Sequence, residues 1–480
     1  MRLLIILHRY VGVAAGLLMV LWCLSGFVMM YQGYPHLEQA DRLAGLKPLR
    51  LTAEQARTPL DLRDDAQISG FRLEMMGERP VLHVQQGREQ QALDLATGRT
   101  LESIPADQAL AVAKLYAAAH GIAGNAMDVG VVDVDQWTLD GINRAGPMYH
   151  IRYSDPAGTD LYVAQRTGQA VQITTTRTRF LAWIGAIPHW LYPTILRKNP
   201  AAWDAVVVWT SIAGVFLTVI GLYVGIARFK PYKSGRWSPY RGWFYWHHII
   251  GLVFGILTLT WVFSGLLTMS PWGFLDSPAG RTERGTLAGT VSGADLKRFL
   301  AAAPVLARGD VAAIEGAPLG GHLNALVQTP AGPPRRVDGA GADHPLEPAE
   351  LRAAMVAMGG PPVARFARID REDAYYYRSY DLKAVFPVYR ADLTDRASTT
   401  FYIDALSGRM VAAVDDTGRK GRWLRVGLHD FDFFPALRAR PVWDIVVLLL
   451  LAGVTAVCVT GGWMAVLRVQ QDLARLKPKA

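Results

Sequence analysis

Four histidines recur in matched pairs along this chain, and imidazole nitrogen is a ligand for iron, copper and zinc. His8 opens a pattern with Gly12, Gly16, Trp22, Ser25 and Gly26. It returns about 240 residues later as His247, Gly251, Gly255, Trp261, Ser264 and Gly265. His189 lies between Trp183 and Trp203-Asp204, and His429 has the same spacing between Trp423 and Trp443-Asp444. One nearly constant offset kept by so many unlike residue types implies a tandem duplication, in which each histidine has a counterpart in the other half. Two matched pairs then imply two sites, each shared between the halves.

The elements that must position these residues are membrane spans. The chain has 480 residues, 51% hydrophobic and only 19% charged, with mean hydropathy +0.15, which is too apolar for an ordinary soluble protein. Four segments approach the roughly 20 apolar residues that cross a bilayer. They divide the chain into a first span (1–31), an external domain carrying His189 (32–202), a second span (203–227) and a basic loop (228–242). A third span (243–270), a second external domain carrying His429 (271–441), a fourth span (442–467) and a tail (468–480) follow. The loop holds Arg228, Lys230, Lys233, Arg236 and Arg241 without an acid, and the tail adds Arg468, Arg475, Lys477 and Lys479. Basic flanks stay cytoplasmic, so both termini lie inside, and in a bacterium both large domains are periplasmic on an inner-membrane protein. The net charge of +9 is thus a topology signal, and nothing points to nucleic acid. Both halves start and end inside, a parallel repeat about a pseudo-twofold axis along the membrane normal.

On a helix of 3.6 residues per turn, Gly12 and Gly16 lie near the azimuth of His8, with Trp22 further along. The third span repeats this face from His247 through Gly251 and Gly255 to Trp261. A nitrogen donor followed by a flat recess suits a planar macrocycle. The same glycines also fit close helix packing of the G-x-x-x-G kind, with histidine merely at the interface. His8 and His247 sit near the cytoplasmic ends and are expected to face one another; His248 competes with His247 but aligns with Arg9. His189 and His429 each precede a span by 14 residues and are expected near the outer surface. Two histidines per level match six-coordinate haem, whereas zinc or copper ordinarily takes three or four protein ligands. Without C-x-x-C-H the two haems would be b-type. Trp22 and Trp261 either wall these sites or face lipid.

The polar stretches show strand-like runs at 81–84, 149–153 and 400–404, and hairpin turns ending in Gly98, Gly168 and Gly408. Amphipathic helices are expected over 106–119 and 347–358, and loops over 316–321 and 329–345. Together these make two α+β domains. Cys23 and Cys458 are expected at different depths, toward the outer and inner leaflets, and hence unbonded.

His8-Arg9-Tyr10-Val11-Gly12 with Ser25-Gly26, and Trp246-His247-His248 with Ser264-Gly265, resemble the PepSY-associated transmembrane family. The hairpins Leu93-Asp94-Leu95-Ala96-Thr97-Gly98 and Tyr402-Ile403-Asp404-Ala405-Leu406-Ser407-Gly408 are similar to its PepSY units. The resemblance implies iron uptake: a di-haem inner-membrane oxidoreductase reducing a ferric siderophore or other ferric chelate in the periplasm. His8, His247, His189 and His429 would be the axial ligands, and a quinol or a cytoplasmic reductase the donor. For chelate contact, the basic and aromatic run Arg365, Arg368, Tyr375, Tyr376, Tyr377 and Arg378 is the candidate. Two other readings stand beside this one. One is a non-redox PepSY sensor or protease-regulating subunit; the other is a b-type cytochrome that oxidises quinol for another periplasmic acceptor. No Rossmann fingerprint is present for a nicotinamide.

Overall fold

Long runs of Leu, Ile, Val, Ala and Gly with few charges become four helices in the computed structural model, which describes residues 1–139, 146–233, 235–378 and 383–476. Lys477 and Lys479 of the basic tail lie outside the described residues. The helices are Arg2–Met29, Pro200–Arg228, Trp243–Thr268 and Val442–Leu476, each long and apolar enough to cross a membrane. Asn199 starts the second by accepting the Ala202 N–H at 3.1 Å, with Pro200 supplying the first-turn residue that has no N–H to lose. Leu17, Val253, Ile256 and Leu449 are 61–69% exposed, and only a hydrocarbon surrounding makes that stable. The chain is a membrane protein that contacts the bilayer through these faces.

These helices belong to one compact unit, residues 1–34, 178–276 and 419–480. The first packs against the second and the fourth, and the third also packs against the second and the fourth, so the first and third are diagonal. Small residues let the backbones approach: a Cβ on Gly16 would meet the Gly462 backbone at 3.7 Å, and one on Gly453 would meet the Phe254 ring at 2.2 Å.

Cys23 and Cys458 depart from expectation. Their sulfurs are 3.5 Å apart, both thiols free and buried. The unequal-depth argument assumed spans with level ends. Gly26 instead meets Leu451 and Gly16 meets Gly462, so the fourth helix begins beyond the end of the first and its middle falls beside Cys23. At its other end the helix continues past the apolar run, where Arg468, Asp472 and Arg475 pair along one face.

The second compact unit comprises residues 35–177 and 277–418. It is α+β, and both chain segments build one six-stranded antiparallel sheet. The strand order is Arg335–Asp338, Asn324–Gln328, Ala313–Gly316, Gly70–Met76, Arg79–Gln86, Glu89–Asp94. The segments join where Ala313 pairs with Glu74 and Glu315 with Arg72. Alternation sends Phe71, Leu73, Leu82, Val84 and Ile314 to one face, where helix Gly293–Leu306 covers them with Leu296, Phe299 and Leu300. Ser292 and Asp295 form a capping box at that helix start. The opposite face carries Arg72, Glu74, His83 and Glu315, paired across neighbouring strands. The strand Arg335–Asp338 falls in a stretch read from sequence as loop; its residues are held by pairing with Asn324–Val327, which no local pattern announces.

Two four-stranded antiparallel sheets complete the unit. One runs Ala126–Val132, Met148–Tyr153, Asp160–Ala164, Ala170–Thr174, and the other Val363–Ile369, Val388–Leu393, Thr400–Asp404, Met410–Val414. Helix Ala106–His120 packs on the first and Pro348–Ala357 on the second. The same contacts recur in both: the Tyr162 hydroxyl donates to Asp135 at 2.7 Å, and the Tyr402 hydroxyl to Asp373 at 2.8 Å. The turns expected at Gly98, Gly168 and Gly408 all use glycine at positive φ. A Cβ on Gly98 would lie 1.9 Å from the Pro59 carbonyl oxygen, so glycine is required there for space as well as for φ.

Candidate metal centres in the helical unit

His8 stands on the first helix and His247 on the third, and their ring centroids are 6.2 Å apart. The rings of His189 and His429, from the short helical segments Ala186–His189 and Leu428–Asp430, are also 6.2 Å apart. Both expected pairs are therefore brought together. Two imidazoles on opposite sides of one metal, with bonds of about 2 Å and about 1 Å more from each nitrogen to its ring centre, place the centroids about 6 Å apart.

Each ring is oriented through Nδ1. His8 Nδ1 lies 3.0 Å from the Leu217 carbonyl oxygen, which only accepts, so this nitrogen carries the proton. His247 Nδ1 lies 3.0 Å from the Thr460 hydroxyl, whose own proton goes to the Ala456 carbonyl at 2.7 Å. His189 Nδ1 lies 3.1 Å from the Ser25 hydroxyl, which donates to the Leu21 carbonyl at 2.7 Å. His429 Nδ1 lies 3.1 Å from the Ser264 hydroxyl, which donates to the Trp261 carbonyl at 3.0 Å. In all four, a hydroxyl or carbonyl oxygen accepts from Nδ1–H, and the lone pair is left on Nε2. Metal-binding histidines have this arrangement, in which the second nitrogen is anchored to an oxygen. His248 differs: its Nδ1 meets the Ser238 hydroxyl and its Nε2 the Gly225 carbonyl, both at 2.8 Å, so both nitrogens are engaged in tying the basic loop and the second helix to the third.

Glycine lies beside every one of these rings. A Cβ on Gly221 would come within 2.6 Å of the His8 ring, and one on Gly461 within 3.1 Å of the His247 ring. Gly26 and Gly265 stand at 3.9 and 3.7 Å from the His189 and His429 rings. The glycines expected to form a flat recess divide into two roles. Gly16 and Gly255 are packing residues, against Gly462 and against Leu222. Gly12 and Gly251 are open: a Cβ on Gly12 would meet only Leu217, at an ordinary 3.7 Å, and one on Gly251 would meet nothing.

The tryptophans brace the outer pair. Trp203 donates its indole N–H to the Trp190 carbonyl at 2.9 Å, and Trp443 to the Asp430 carbonyl at 2.6 Å. Each bond clamps the residue after a histidine to the helix that follows, which accounts for the His-to-Trp spacing in the sequence. Trp261 donates to the His429 carbonyl at 2.9 Å, while the buried Trp22 indole nitrogen has no partner.

Residues 5–468 match the family described as PepSY-associated TM region. The chain belongs to that family. No curated protein matches the sequence. In this PepSY-associated chain the anchors are Ser25 and Ser264, which the sequence patterns named without a role, and Thr460, with Gly221 and Gly461 beside the His8 and His247 rings. The serines and glycines left a signal, since Ser25/Ser264 and Gly221/Gly461 repeat at the histidine offset, whereas Thr460 has isoleucine at the matching position 220.

The aromatic run named for chelate contact is largely interior. Tyr376 is buried and stacked on Tyr402 with centroids 4.9 Å apart, and Tyr377 is buried too. Their rings fill the core under the sheet, so neither is offered to a ligand. Tyr375 is half-buried. Arg365 is exposed, Arg368 pairs with Asp370 at 3.2 Å, and Arg378 donates to the Ala384 carbonyl at 3.4 Å.

Proposed function

We propose that this protein is a di-haem oxidoreductase that carries electrons across a bacterial inner membrane to a ferric siderophore or related ferric chelate. The observation that carries the reading is the repeated imidazole geometry: two pairs, each 6.2 Å between centroids, every Nδ1 anchored. Among the described residues no group of three or more His, Cys, Asp or Glu side chains is placed to hold a metal ion. Two donors per level suit a cofactor that brings its own equatorial ligands. His8 with His247, and His189 with His429, would hold one haem b each. A haem held by two histidines would supply one-electron transfer rather than oxygen chemistry.

The chain's own residues do the positioning. Leu217, Thr460, Ser25 and Ser264 fix the tautomer, so that Nε2 of each ring carries the lone pair that would bind a haem iron. The levels are well separated, since His8 and Ser25 are about 25 Å apart along one helix at about 1.5 Å per residue. The acid-free basic loop and basic tail support cytoplasmic termini and a periplasmic sheet unit. The matched Tyr–Asp bonds and matched glycine turns support two duplicated parallel halves. A ferric chelate is a sensible acceptor, because hard oxygen ligands hold Fe(III) and release the softer Fe(II).

The test is an absorbance spectrum of the full chain in detergent, before and after dithionite. A b-type Soret shift is expected, with His8→Ala or His247→Ala removing one haem and His189→Ala or His429→Ala the other. Mixing reduced protein with a ferric hydroxamate should then reoxidise it. A protein purified without any such spectrum would end this reading.

A further inference from the structure

The charged face of the six-stranded sheet borders a cleft of about 440 Å³ that the proposed electron transfer does not use. Its floor is strand residues Gly70–Arg72 and His83–Gln85, one wall is helix Glu283–Ala288, and the other is the turn at Gly408-Arg409. That size falls within the range of small-molecule sites.

The charges lining it do not balance. Arg72, Arg284 and Arg409 face it, and Glu315 is the single carboxylate among the lining residues. Glu315 is already committed, to Arg409 at 2.9 Å and more loosely to Arg72 at 3.6 Å. Among the described residues Arg284 donates to the Met410 carbonyl alone, at 3.3 Å. His83 Nε2 faces the Glu74 carboxylate at 3.3 Å, and Glu74 is itself held by Arg42 at 2.8 Å. Two positive charges in the cleft are thus left over. Its floor also holds a buried donor without a partner among the described residues, Arg72 Nε. Leaving such a group unpaired is costly. Guanidinium groups present paired N–H donors that match the two oxygens of a carboxylate or phosphate.

We infer that this cleft binds a compact soluble polyanion, carrying carboxylate or phosphate groups, between Arg72, Arg284 and Arg409. The first oxyanion group bridges Arg72 and Arg284, and Arg409, kept in place by Glu315, meets a second. A site made jointly by both chain segments also ties ligand occupancy to the pairing of Gly70–Met76 with Ala313–Gly316.

Titration calorimetry on the full chain in detergent tests this, using citrate and pyrophosphate as probes and the triamide of citrate as the uncharged control. One of the two anions should bind, one per chain, more weakly as salt rises, and the triamide should not. Citrate binding alone assigns a carboxylate ligand; pyrophosphate binding alone assigns a phosphate. Arg284→Gln, at an exposed position, should weaken binding at least tenfold without lowering the melting temperature, and Arg72→Gln should weaken binding further. Absence of binding by both anions at low salt, or affinity unchanged in Arg284→Gln and Arg72→Gln alike, overturns the site. Haem content is read separately, so failure here leaves the proposed electron transfer untouched.

Discussion

Ser25 and Ser264 show how much a single hydroxyl contributes to the two centres. Each accepts from a histidine Nδ1 and passes its own proton to a helix carbonyl, so it holds both the orientation and the tautomer of the ring. Loss of such an anchor ordinarily costs about 10–100-fold in metal-site affinity. On the proposed di-haem reading, Ser25→Ala and Ser264→Ala should each speed loss of the same haem, measured as transfer to apomyoglobin, while the other stays. Equal retention in both variants and wild type would remove the anchoring role. At this scale the histidines and serines were legible from their repeated offset, because ligand and anchor both have to be duplicated. Thr460 was not, since position 220 holds isoleucine and the first half uses the Leu217 carbonyl instead.

Among the elements, the four spanning helices followed directly from apolar run length, yet their register did not. The Cys23–Cys458 contact depends on the fourth helix overshooting the end of the first, which is decided by Gly16 against Gly462 and Gly26 against Leu451. This has a direct consequence. With a protease site introduced in the basic loop, mild oxidation by copper-phenanthroline should keep the two fragments together on a non-reducing gel. Cys23→Ser should separate them. If the wild-type fragments also separate, the two cysteines lie at different depths after all. A similar lesson holds for strand Arg335–Asp338, whose surroundings of Gly and Pro read as loop. Its pairing partner, Asn324–Val327, imposes the extended backbone that its own composition does not favour.

For the molecule as a whole, the buried acids on the shared sheet set a pH limit. Burial by itself pushes the Glu74 carboxyl up, but His83, Arg42 and Arg72 outweigh it and hold the group well below the ordinary carboxylate range. Glu315 follows the same logic: burial raises it, and Arg409 and Arg72 bring it down. With both carboxyls depressed in the folded state, the unfolded chain takes up protons more readily. The stabilisation is then complete above the unfolded value of about 4.3 and is lost as pH falls toward the folded values. Hydrogen-exchange protection of strands Gly70–Met76 and Ala313–Gly316, taken relative to intrinsic exchange at each pH, should fall on acidification from pH 5 to pH 3. Glu74→Gln, which leaves Arg42 without its charge partner, should cost about 3–5 kcal/mol at neutral pH and flatten that acid response. An unchanged acid response in Glu74→Gln would exclude this carboxylate as its source.

What the sequence by itself determined is the local and the repeated: span number from apolar length, histidine pairs from their common offset, and glycine turns from positions where no other residue fits. These signals are legible because each depends on a few neighbouring residues or on a copy elsewhere in the chain. Only the tertiary structure decided the rest. It placed His248 in a closed hydrogen-bond pair and His247 across from His8. It turned Tyr376 and Tyr377 into core and joined two distant chain segments in one sheet. Those outcomes turn on which surfaces meet, and burial, register and hydrogen-bond partners exist only once residues hundreds of positions apart are in contact.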